Sequence, residues 1–237
     1  VAYSFHRGLL QGGTSSPQWL YYEAFFGVGT DDVSLLVDPE GNLYDDRETL
    51  AAADPAVLVA ACEKVKSAVV ADDAAGTVTF TLAQPWGPFL ATIAQTWGSV
   101  MDEQWVVENG GWDGSCDTWQ NFYGMQSADD PFSTIINGTG PFKLDHFTPG
   151  EELVMVRNDS YWREPAKLER VVFKAVPEWG TRFAMMQAGD ADVATVPTAN
   201  RSQMDELVGE RCEFDLEANA YKACEVVDDT LPLRLRI

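Results

Sequence analysis

Asn137-Gly-Thr-Gly-Pro-Phe-Lys-Leu-Asp-His-Phe-Thr-Pro-Gly-Glu-Glu-Leu-Val-Met-Val-Arg-Asn-Asp-Ser-Tyr-Trp-Arg-Glu-Pro165 is the stretch whose reading decides the fold. Pro141–Asp145 and Glu152–Arg157 are runs of strand length, and Pro149-Gly150 between them is a turn signal. Tyr161-Trp162 follows directly. The segment predicts a hairpin and contains no catalytic chemistry of its own.

Towards the C-terminus the element types alternate. Arg170-Val-Val-Phe-Lys-Ala-Val176 predicts a strand, and Glu178–Ala188 a helix with Phe183, Met186 and Gln187 near its inner face. Gly189 fits the C′ position, where a left-handed backbone ends a helix. Asp192-Val-Ala-Thr-Val-Pro197 then predicts a returning strand, so a right-handed βαβ unit is expected. A short helix over Met204–Val208 and a last strand over Glu213–Leu216 complete this region.

Towards the N-terminus the pattern is α+β. Ala2–Leu10 predicts a helix ended by Gly12-Gly13, and Ser15-Ser16-Pro17 offers a second start, with Trp19, Leu20, Tyr22 and Ala24 available for burial. Leu58, Ala61, Cys62, Val65 and Val69 recur at helical spacing, with Glu63, Lys64 and Lys66 on the wet side. Thr77–Leu82 alternates as a strand does, and short helices are predicted over Phe89–Ala94 and Met101–Glu108. Residues 109–136 mix glycine, aspartate and aromatics without a period and read as a long structured loop. Asp113 and Asp117 in it lack the spacing and closing glutamate of a calcium loop and suit Asx turns instead.

The 237 residues suffice for one large domain or two modest ones. Thirty-seven acidic against 16 basic side chains give a net charge of -21, which argues against nucleic acid and anionic lipid as partners. No uninterrupted apolar run reaches the ~18 residues of a membrane span, so any membrane attachment is expected through an anchor outside these residues. Cys62, Cys116, Cys212 and Cys224 have no metal-ligand spacing. Cys212 and Cys224 flank a segment short enough to fold back, which makes a disulfide plausible. Cys62 reads as a buried thiol on an apolar helix face, and the state of Cys116 is open.

His6 and His146 are the only histidines. Neither has a nucleophile motif beside it; His6 reads as decorating a helix and His146 a strand end, so no catalytic residue is assigned. No phosphate-binding loop or dinucleotide fingerprint is present, and no cofactor or metal is expected. Eight tryptophans are the positive signal, and Trp86, Trp97, Trp112 and Trp119 fall in predicted loops. Such residues either plug a local core or line a cleft with flat, rigid faces.

In order along the chain, several segments resemble the family 5 solute-binding proteins, the extracytoplasmic peptide and nickel receptors of ABC importers. Val1-Ala-Tyr-Ser-Phe-His-Arg7 is similar to the end of their Asp-Val-Val-Tyr-Ser-Phe-x-Arg segment. Thr77–Leu82 followed by Pro85-Trp-Gly-Pro-Phe-Leu90 looks like their strand and Pro-x-x-Pro-Phe-Leu. Gly138–Leu144 matches Gly-Thr-Gly-Pro-Tyr-Lys-Leu with Phe142 for tyrosine, and Arg157–Trp162 matches Arg-Asn-x-x-Tyr-Trp. Lys167–Lys174 and Thr181–Val193 are similar to the family's crossover, while 101–136 departs from its pattern.

The resemblance implies an α/β (α+β) fold of the type II periplasmic-binding-protein kind. Residues 1–136 would be the lateral domain of the first lobe and 137–237 part of its main domain. Val1 begins partway through a motif and Leu233–Ile237 stops in a strand-like run, so a fragment lacking the second lobe is expected. The implied function is a non-enzymatic receptor, for peptides in the first instance, that presents its solute to an ABC permease outside the cytoplasm. Trp97, Trp19, Gly138 and Thr139 are the residues it offers for ligand contact. Oligosaccharide or nickel receptors, and a secreted carbohydrate-active enzyme with paired carboxylates, remain the alternatives.

Overall fold

A computed structural model describes residues 1–13, 16, 18–27, 29–231 and 233–236, the last four by backbone only. The chain divides into two compact units, Val1–Ile136 and Asn137–Ile237. The mixed α and β content is that expected from the sequence.

The first unit contains helices α1 (Ala2–Gln11), α2 (Trp19–Phe26), α3 (Ser34–Val37), α4 (Arg47–Ala51) and α5 (Pro55–Ala68), the hairpin β1 (Val69–Asp72) and β2 (Thr77–Phe80), then α6 (Phe89–Ile93) and α7 (Glu103–Glu108). Local chemistry sets several boundaries. Asp54 caps α5 by accepting from the Ala56 N–H at 2.8 Å, with Pro55 at the first helical position. Asp102 caps α7 through the Trp105 N–H at 3.0 Å. Gly12, at φ 46°, ends α1, where a side chain would strike Tyr123 and Asp32. Ser15 and Pro17, part of the predicted start of α2, lie outside the described residues.

The core of this unit is aromatic. Phe5 meets Phe80 edge-on at 5.0 Å, and Phe89 meets Phe25 at 5.8 Å and Phe80 at 5.5 Å. Residues 109–136 close the core with two 3-10 turns, Trp119–Phe122 and Pro131–Ser133. Trp112 and Trp119 are fully buried, their indoles donating to Ser115 O at 2.8 Å and Leu58 O at 3.0 Å. These two loop tryptophans are plugs. Asp113 accepts from the Ser115 N–H and the Thr118 hydroxyl, the Asx-type capping expected there.

Three expectations for this unit are corrected. Cys62 is buried but is no thiol: the loop packed over α5 brings Cys116 to a Cα distance of 5.5 Å, and the two form a disulfide. Trp19 is 55% exposed, whereas Tyr21, Tyr22 and Ala24 of the same helix take the core positions. His6 does not decorate the surface; it is buried, with Nε2 against Val69 O at 2.6 Å, tying α1 to β1.

The second unit carries β3 (Phe142–Thr148), β4 (Glu152–Arg157), β5 (Arg170–Lys174), α8 (Trp179–Ala188), α9 (Arg201–Asp205), β6 (Val208–Cys212), β7 (Phe214–Asp215), β8 (Ala220–Tyr221), β9 (Glu225–Val226) and β10 (Leu233–Arg236). The hairpin read from 137–165 is the antiparallel β3–β4 pair, Phe142 opposite Arg157 and Thr148 opposite Glu152, with a bulge between Leu144 and His146. Asn158 fastens its open end, donating to Gly140 O at 3.0 Å. Gly189 ends α8 in the left-handed conformation, as its position predicts. On α8 Phe183 and Met186 are half-buried, but Gln187 is exposed.

The βαβ expectation fails. β5 joins β4 antiparallel, and residues 192–197 form no strand, with Val193 87% exposed. The β3–β4–β5 sheet is built from chain neighbours alone, and among the described residues no further strand pairs with its outer edges. Strand β6 instead starts at Val208, where the helix was expected to end, and pairs with β9 and, in parallel, with β10. Cys212 and Cys224 form the second disulfide. Among the described residues no helix is long and apolar enough to cross a membrane.

Candidate functional site

The first unit encloses a cavity of about 310 Å³, at the lower end of the ~300–1,000 Å³ of small-ligand sites. One wall is α1, which contributes Arg7 and Gln11; Gln18 comes from the residue before α2, Trp97 from the 3-10 turn Thr96–Gly98, and Met101 and Asp130 from flanking loops. Glycine makes the wall possible. A Cβ at Gly8 would lie 2.7 Å from Gln18 Cδ, so the amide rests directly on the helix backbone.

Gln18 is 7% exposed, and its Nε2 donates to Trp97 O at 2.6 Å. Met101 is held by Ser4, whose hydroxyl accepts from the Met101 N–H at 2.9 Å. Arg7 runs along this wall with its guanidinium 4.8 Å from the Phe132 ring centre and Nη1 3.6 Å from Met101 Sδ. Burial pulls the Arg7 pKa down from its ordinary value, and the charge of Asp130 partly offsets that.

The four residues offered for ligand contact lie in different settings. Trp97 lines the cavity half-buried. Trp19, next to Gln18, is exposed and is not part of the wall. Gly138 and Thr139 are exposed in the loop that opens the second unit. Arg7, Gln18 and Asp130 were not singled out from the sequence. Elsewhere, Glu210 lies within 4.8 Å of the Cys212 and Cys224 sulfurs, but bonded sulfurs offer no thiolate to a metal.

A probable D,D-dipeptide-binding periplasmic protein, DdpA, of Escherichia coli is 31% identical over 118 residues, 50% of this chain and 20% of that protein. A dipeptide-binding protein of the same organism is 26% identical over 123 residues, 51% of this chain and 20% of that one. The chain thus matches about a fifth of the length of these relatives. Among solved structures, the periplasmic binding protein DppA from Helicobacter pylori in complex with peptide STSA aligns at TM-score 0.43 and 22% identity, covering 75% of this chain and 32% of its own. A dipeptide binding protein from a Pseudoalteromonas species in complex with Met-Leu aligns at TM-score 0.45 and 20% identity, covering 78% and 34%. Residues 1–210 match the family described as bacterial extracellular solute-binding proteins, family 5 Middle, and the chain belongs to that family.

Proposed function

We propose that this chain is part of a receptor that captures short peptides outside the cytoplasm and delivers them to the permease of an ABC importer. The observation that carries this reading is the family match over residues 1–210. Peptide is the favoured solute because two of the relatives are named for dipeptides. Two disulfides support an oxidising compartment, since such bonds are rare where glutathione keeps thiols reduced. In this reading residues 1–136 are the lateral domain of the first lobe and 137–237 a share of its main domain. Trp97 is the leading solute contact, followed by Trp19 and the Gly138-Thr139 backbone.

Thermal-shift measurement on the two-lobed receptor with dipeptides, tripeptides, nickel and oligosaccharides tests it. A peptide at 100 times its Kd stabilises the folded state by about 2.7 kcal/mol, so a clear rise in Tm with peptides alone is the expected result. A rise with nickel or sugar and none with any peptide would reassign the solute. Calorimetry on the 237-residue chain by itself is expected to give much weaker peptide binding than the two-lobed receptor.

A further inference from the structure

The cavity in the first unit holds an unmatched set of hydrogen-bonding groups. Because Gln18 Nε2 is committed to Trp97 O, the amide orientation is fixed and Oε1 can only accept; that oxygen is buried and has no partner among the described residues. Trp97 Nε1, which can only donate, is likewise buried and unpartnered there. Arg7 forms no salt bridge among the described residues; Met101 Sδ and the face of Phe132 lie beside its guanidinium. Asp130 exerts attraction on it, with Oδ1 engaged at the Phe132 N–H at 2.9 Å. Native structures rarely leave buried polar groups unmade, and each exception needs an explanation.

We infer that the Arg7–Gln18–Trp97 cavity binds a small carboxylate that bears an adjacent hydrogen-bond donor, the chemistry of an α-hydroxy or α-amino acid. A carboxylate supplies the planar acceptor pair that a guanidinium fork recognises and takes the Trp97 indole N–H. The neighbouring O–H or N–H donates to Gln18 Oε1. A neutral amide lacks the charge for Arg7, and a bare carboxylate leaves Gln18 unsatisfied. The cavity volume admits molecules of this size. The inference rests on the reading of Trp97 as a solute contact and adds to it a ligand class and two partners.

The test is an amide and indole NMR titration of the 237-residue chain with L-lactate and L-alanine, against acetate and L-alaninamide, at constant ionic strength. The Trp97 indole cross-peak, identified by its loss in Trp97→Phe, is expected to move with lactate and alanine. Affinity for acetate is expected to be at least tenfold weaker, and alaninamide should have no effect. Arg7→Met keeps the stem over Phe132 and should weaken lactate at least tenfold while the other indole peaks stay in place. Gln18→Glu puts a carboxylate into the cavity and should abolish binding; it decides the matter if Arg7→Met does not fold. An unmoved Trp97 peak, equal affinity for acetate, or unchanged binding in the folded variants would overturn the inference. Titration of the two-lobed receptor with the same ligands and with Ala-Ala separates the two readings. A Trp97 peak that answers Ala-Ala but not lactate or alanine sinks the cavity inference alone. A peak that answers none of them removes Trp97 as a solute contact as well.

Discussion

The two units reach stability by different routes. The first buries tryptophan, tyrosine and phenylalanine around α1 and α5, and every buried apolar side chain described lies there except Val154, Val208 and Cys212. The second leaves Phe173, Val193 and Leu216 exposed and relies on backbone ladders, turns and one disulfide. Hydrophobic burial scales with apolar area removed from water, so the first unit has the larger driving force and the second the thinner margin. Position of apolar residues therefore matters more here than their number.

The largest expected effect is at the loop plug. Trp119→Ala removes a fully buried indole and its bond to Leu58 O and should cost about 3–5 kcal/mol, against about 2 kcal/mol for Val154→Ala in the second unit. Residue-resolved hydrogen exchange checks the contrast: Trp119→Ala should accelerate exchange across residues 1–136 and spare 137–236. Matching acceleration in both would break the comparison.

Next come the bridges. Their sequence separations are 54 and 12, for which the chain-entropy relation gives about 4 and about 3 kcal/mol. Urea midpoints of the Cys62→Ser/Cys116→Ser and Cys212→Ser/Cys224→Ser variants should each fall, the first unit's by the larger energy. Because the second unit has fewer buried residues, its smaller loss should still leave it the less folded of the two. A second unit that keeps its native spectrum without the bridge would show that its ladders suffice.

The smallest effect separates the units by pH. Burial holds the His6 pKa below its ordinary value, helped by the charges of Lys66 and the N-terminus and opposed by the Val69 carbonyl. Below the ~6.5 of an unfolded chain the unfolded state then binds more protons, so the first unit loses stability as pH falls. Hydrogen bonds that the protonated ring donates to the Asp145 and Glu152 carboxylates raise the His146 pKa. Its contribution has the opposite sign: fully present below ~6.5, lost as pH rises through the raised value. NMR titration of the two imidazoles should give midpoints on either side of the free value, and His6→Gln should flatten the first unit's decline. Coincident midpoints would refute the contrast.

Local signals were legible in the sequence where one short segment contains its own reason. The β3–β4 hairpin, the helical spacing of Leu58, Ala61, Cys62 and Val65, and the Gly189 stop all belong to that class. What could not be read depends on distant neighbours. Trp19 and Tyr21 differ in burial by which way α2 faces, and nothing within the 192–197 run says that it leaves the edge of the β3–β4–β5 sheet unpaired. Cys62 looked inert because its partner sits in an aperiodic loop. At the site, Trp97 could be proposed from the family resemblance, whereas Arg7 and Gln18 emerge only when α1 and the Thr96–Gly98 turn meet.

The bridge between α5 and the long loop also changes what a broken backbone means. The exposed turn between β1 and β2 lies inside the loop that Cys62 and Cys116 close. A protease cutting there yields two pieces still joined by sulfur, each held by its share of the aromatic core. The scission is silent on a non-reducing gel and appears only when thiol is added. In an oxidising setting the first unit is thus protected against the consequence of cleavage, and not merely against unfolding.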